Sequence, residues 1–234
     1  MPEINGFWRS NGAVFVILKS LVEIIETIGK LIEEHEIAEP KLAAHYDKYQ
    51  DDESDEVMQE FAEIMENIME LESILGNVTD ILRLTCSIEL EARINMFCFF
   101  NIGEVAADAI ETLSLVKKME VAHSVLGVKQ FKGSKPYEAL NDLVEWRNLY
   151  AHGKCTDMPK DKLRKNHLVA PDKFPSPKDN IDDTIKSVSH YLAVITHLRN
   201  ISQNERTSGW LRQDIEVAEL LEELKDTGYQ HLVE

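Results

Sequence analysis

A chain of 234 residues with 44% apolar side chains suits one large domain, or a core domain with an added helical piece, and excludes wholesale disorder. A net charge of −17 argues against general nucleic-acid binding, which needs local cation density. The most apolar window, Ala13–Ile25, is interrupted by Lys19 and Glu23, which argues against a membrane span, and Met1–Ser10 lacks the pattern of a secretory signal.

The periodicity is helical nearly throughout. Val14, Ile17, Leu18, Leu21, Ile24, Ile25, Ile28, Leu31 and Ile32 recur in three- and four-residue steps, which predicts an amphipathic helix from Asn11 or Gly12 to just before Pro40. One or two helical turns follow over Lys41–Tyr49. The acidic run Asp51–Glu56 reads as the opening of a helix, where carboxylates suit the positive end of the dipole, or less simply as a cation site. That helix is expected to reach Leu75 and stop at Gly76-Asn77. Another is expected from Thr79 or Asp80 to Phe100, broken by Gly103. Shorter helices follow over about 104–112 and 115–126, and Pro136 suits the first turn of the next helix, which ends near Gly153. Thr156–Asn180 holds four prolines and six Lys/Arg and reads as a long, basic, exposed loop. Helices over about 181–201 and 211–224 complete the chain. No strand finds a convincing place, so the expected fold is all-α, with residues 1–76 as an N-terminal helical extension and 77–234 as a helical bundle.

Common catalytic signatures are missing from the sequence. There is no Gly-rich phosphate loop, no His-Glu-x-x-His and no Cys-x-x-Cys, and neither a metal nor a cofactor is called for. His190 and His197 share a helix face and read as a non-ligating pair. Met58, Met65 and Met69, at helical spacing, read as core filling. Cys86 and Cys98 read as small core residues, and with Cys155 they fit reduced thiols of a cytoplasmic protein. Charge is unevenly spread. Lys117–Lys178 carries 13 Lys/Arg against 7 Asp/Glu, a balance of +6, leaving −23 for the rest of the −17 total. This island is either chance clustering on loops or a patch for an anionic ligand.

The island contains the stretch Glu145–Lys154, "EWRNLYAHGK". At about 100° per residue, Leu140, Leu143, Val144, Tyr150 and Ala151 define the buried face of its helix, and Arg147 falls inside that apolar arc. A guanidinium cannot shed its charge, so a core-facing one needs a carboxylate such as Glu91, a set of carbonyls, or a ligand anion. Asn148 and His152, four apart, can touch. His152 closes the helix beside its negative end, which favours the protonated imidazole. Arg147 and His152 lie about 140° apart, so on a regular helix they converge only if the last turn unwinds or a second copy supplies one of them. An arginine fork beside a titrating imidazole suits phosphodiester chemistry; an arginine held by Glu91 with His152 as a polar cap is the plainer alternative.

The stretch "RNLYAHG" resembles the arginine-to-histidine signature of the HEPN superfamily, with asparagine in the favoured place after the arginine. The approach to it is similar too: "ELEARINMF" (Glu89–Phe97), then "LVKKMEVAHSVLG", then "KPYEALNDLVEWRNLYAHG", covering roughly Val78–Gly153. The resemblance implies an up-and-down helical bundle that forms a homodimer, with additional N-terminal helices in this chain. It implies a metal-independent endoribonuclease site of toxin or defence type, in which Arg147 binds phosphate, His152 acts as acid or base and Asn148 orients them. Lys154, Lys132 and Lys135 would then meet RNA, and an antitoxin or other protein is a further possible partner. Lys154 stands where some family toxins carry a tyrosine modified by their partners. The family also contains non-catalytic binding and scaffold domains, and an Arg147 consumed by Glu91 within one chain would weigh against the enzyme.

Overall fold

The computed structural model describes residues 4–51, 54–128, 131–152, 177–204 and 215–226. Among these the chain is all-α, with seven helices and no strand: α1 (Ile4–Asp51), α2 (Asp55–Ile102), α3 (Glu104–Ala109), α4 (Leu115–Leu126), α5 (Lys135–His152), α6 (Pro177–Ile201) and α7 (Ile215–Asp226). No helix among the described residues is long and apolar enough to cross a membrane.

The first two helices are longer than the sequence breakers suggest. α1 and α2 each run 48 residues, about 72 Å, and pair antiparallel. Pro40 lies inside α1 rather than ending it. Its ring is on the exposed side, and packing continues beyond it through Tyr46 against Phe61 and Lys48 to Glu60, which offsets the lost backbone bond. Gly76-Asn77 likewise interrupts nothing. A helical glycine costs only about 1 kcal/mol, and a Cβ on Gly76 would stand 3.6 Å from Nδ2 of Asn180, so α6 packs closely there. The end of the acidic run opens α2, with Asp55 and Glu56 in its first turn, whereas Asp51 closes α1. The breakers at Gly103 and Gly127 hold: both take positive φ, 89° and 67°, where glycine is favoured. α6 begins at Pro177, four residues earlier than the periodicity implies, with a proline where its missing N–H costs nothing. The loop expected after α5 lies outside the described residues up to 176.

One continuous core joins Leu21–Ile32 of α1, Leu75–Cys98 of α2, Met119 of α4, Leu140 and Leu143 of α5, Val188–Leu198 of α6, and Val217 and Leu221 of α7. Cys86 and Cys98 are buried in it, as expected. Burial pushes the Cys86 thiol well above its ordinary value, with Glu89 adding to the effect, and pushes Cys98 up to about 11.

α2, α5 and α6 run in one direction. Gly76 meets Asn180, Thr79 Oγ1 lies 3.3 Å from Thr184 Oγ1, Arg83 pairs with Asp183 at 3.0 Å, and Asn101 reaches Ser202. The α2–α6 seam is therefore polar. Asn180, Asp183, Thr184 and Ser187 fall on one face of α6 against Thr79, Arg83 and Ser87 of α2, and all are buried. Arg83 Nε also donates to Ser187 Oγ at 3.3 Å, and its guanidinium carbon lies 4.2 Å from the centre of the Trp146 ring on α5.

Candidate functional site

Arg147 is positioned by the packing of α5 on α2. Ala139, Leu140, Leu143 and Trp146 are buried, so this part of the apolar arc faces the core, while the side chains of Tyr150 and Ala151 lie outside the described residues. One turn before Arg147, the Ser87 hydroxyl lies 3.0 Å from the Leu143 carbonyl oxygen. Four residues further on both helices, Arg147 Nη1 donates to Glu91 Oε2 as the next rung of the same ladder. The partner required by a core-facing guanidinium is thus Glu91 of the same chain. The pair sits at the rim: the side chains are 24% and 40% exposed.

Asn148 is exposed, and its Oδ1 lies 3.5 Å from Arg147 Nη2, so the asparagine can steady the guanidinium from the solvent side. His152 is the last residue of α5, at the negative end of the helix, but its imidazole lies outside the described residues, as does Lys154. Lys132 and Lys135 are exposed at the opposite end of α5. The rise from Lys135 to Arg147 is about 18 Å, so these lysines could meet only a distant part of a ligand held at Arg147.

Several polar pairs escaped the sequence reading. On α2, Arg93 Nε donates to Glu89 Oε1 at 2.5 Å with both side chains fully buried, and Lys118 of α4 reaches Asn95 at 2.8 Å. The Glu89–Arg93 spacing of four was visible; its burial was not. His197 meets His123 of α4 rather than His190. The His123 Nδ1–H donates to the Met119 carbonyl at 2.7 Å, so its Nε2 is free to accept, and His197 Nε2–H donates to it at 2.7 Å. The two rings are nearly coplanar, 5° apart, as an in-plane N–H···N bond requires, and Phe131 stacks on His123. Burial lowers the pKa of both histidines, that of His197 to about 4 with His123 adding to the fall. His190 faces Asp142 at 3.7 Å instead. Burial also lowers His190, against the pull of Asp142. Among the described residues no three His, Cys, Asp or Glu side chains gather to hold a metal.

The methionine reading is corrected. Met58 and Met69 are 40% and 62% exposed and do not fill the core, because they fall to one side of the face that α2 turns to α1. The chain matches no protein-family model, no curated protein and no solved structure.

Proposed function

We propose that the chain is a HEPN-like helical bundle that works as a binding or scaffold homodimer, with the Arg147 end of α5 as its working surface. The Arg147–Glu91 ion pair carries this reading. The guanidinium that a nuclease site would aim at phosphate is engaged by a carboxylate of its own chain. The protein partner, an antitoxin or another chain, would meet this surface in the cytoplasm.

A second reading, a metal-independent endoribonuclease of toxin or defence type, is favoured by the exposure of that same pair. Ion pairs open to water contribute only about 0–1 kcal/mol, whereas arginine grips phosphate through charge-assisted, bidentate hydrogen bonds. An RNA phosphate could therefore displace Glu91. Arg147 would then stabilise charge developing on the phosphate, His152 would transfer the proton and Asn148 would hold the guanidinium. Lys154 would hold the neighbouring RNA backbone, with Lys132 and Lys135 further along it.

Incubation of wild type and His152→Ala with an RNA pool in EDTA separates the readings. Intact RNA with both proteins is the result expected of the binding dimer. Cleavage by wild type that His152→Ala abolishes overturns it in favour of the ribonuclease.

A further inference from the structure

The core shared by the bundle ends at Ile32 on α1 and Leu75 on α2. Beyond those residues the two helices continue as a hairpin arm of about 30 Å, spanning 33–51 and 54–75. The polar pairs there join α1 to α2: His35 to Glu72, and His45 and Lys48 to Glu60. Residues 33–75 carry 15 Asp/Glu and 2 Lys/Arg, a balance of −13, which is most of the chain's −17.

Within this acidic arm α2 has more apolar residues than its seam with α1 needs. Val57, Phe61, Ile64, Ile68, Leu71 and Leu75 centre on one line and form the seam. Met58, Ala62, Met65 and Met69 lie about 80–140° to one side of it, at steps of four, three and four. The His35–Glu72 contact identifies the side of α1 that adjoins this flank. On that side, Tyr46 is 49% exposed and Ala43 is open. The result is an apolar strip about 16 Å long, from Met58 to Met69, with Glu39 and Glu66 exposed along its edges.

We infer that this arm is a docking surface for a basic amphipathic helix of a partner protein, seated on Met58, Met65, Met69 and Tyr46. Three chemical features select that occupant. Unbranched thioethers adapt to varied apolar side chains. A strip of three helical turns matches the apolar face of one helix. A balance of −13 attracts a cationic partner and repels both nucleic acid and the same arm of a second copy. The inference does not depend on which reading of the Arg147 surface holds.

The test uses the full chain and a fluorescent eighteen-residue leucine/lysine amphipathic peptide. Leucine/glutamate and serine/lysine peptides of the same length are the controls, and fluorescence anisotropy the readout. Wild type is expected to bind the leucine/lysine peptide best. The charge-neutral triple variant Met58→Gln/Met65→Gln/Met69→Gln should weaken that binding at least tenfold while leaving the serine/lysine peptide unaffected. Unchanged binding by the triple variant overturns the proposal. So does an equal loss from Val105→Gln/Val125→Gln, which alters exposed apolar residues elsewhere. Conversion of a dimer to a monomer by the triple variant would make the occupant a second copy, and equally overturns it. Should the variant fail to fold, peroxide footprinting of wild type decides. Bound leucine/lysine peptide is expected to shield Met58 and Met69 from oxidation, and full oxidation of both under saturating peptide refutes the inference.

Discussion

Replacing Arg83 by methionine tests how the α2–α6 seam is held. Arg83 and Asp183 are 7% and 9% exposed, with the guanidinium 3.0 Å from the carboxylate. The same arginine donates to Ser187 and lies over Trp146, so one side chain ties α2 to α6 and α5. Arg83→Met strips the buried carboxylate of this cation, and breaking a buried pair from one side costs about 3–5 kcal/mol. At about 2–4 °C per kcal/mol for a chain of this size, the melting temperature should fall by roughly 10 °C. Replacing both partners, as Arg83→Met/Asp183→Leu, removes the stranded charge and should recover most of the loss. Urea unfolding of the single and double variants, followed by far-UV circular dichroism, measures the coupling. A double variant as unstable as the summed singles would refute the reasoning, because the residues would then act independently.

Four further outcomes follow from the packing. His123 and His197 have pKa values below their unfolded ones, so the unfolded chain binds more protons as pH falls. Stability should be fullest above pH 6.5 and decline towards about pH 4, by up to about 3 kcal/mol for His197; His197→Gln should flatten that slope, and an unchanged slope counts against the pair. Peroxide should oxidise Met58 and Met69 well before the buried Met96 and Met119, as peptide mass spectrometry would read. Native-state thiol labelling should spare Cys86 and Cys98 until denaturant is added. Gly76→Ala should raise the melting temperature by a few degrees, because its Cβ meets Asn180 at ordinary contact distance and the unfolded chain loses freedom; a fall would mean that the α6 approach is tighter than it measures.

The all-α class was legible in the sequence because apolar residues at helical steps record which face is buried, and α4 and α5 emerged with nearly the expected bounds. Pro40 and Gly76 misled because their cost is local, whereas the pairing of α1 with α2 stabilises both helices along their length. The need of Arg147 for a partner could be read from its angular position, and Glu91 was already a candidate. Choosing Glu91 required the register of α5 on α2, which a single sequence does not encode locally. Arg83–Asp183 and His123–His197 join residues 100 and 74 positions apart, and only the folded chain brings them together. The methionines carried the right periodicity on the wrong side: spacing gives a stripe, while burial depends on how many helices surround it, and the arm has two.

Both readings of the Arg147 surface require two chains. Sedimentation equilibrium of the wild-type protein therefore tests the account most directly. The account predicts a species of twice the 26.8 kDa chain mass. A single-chain mass at every concentration would contradict it.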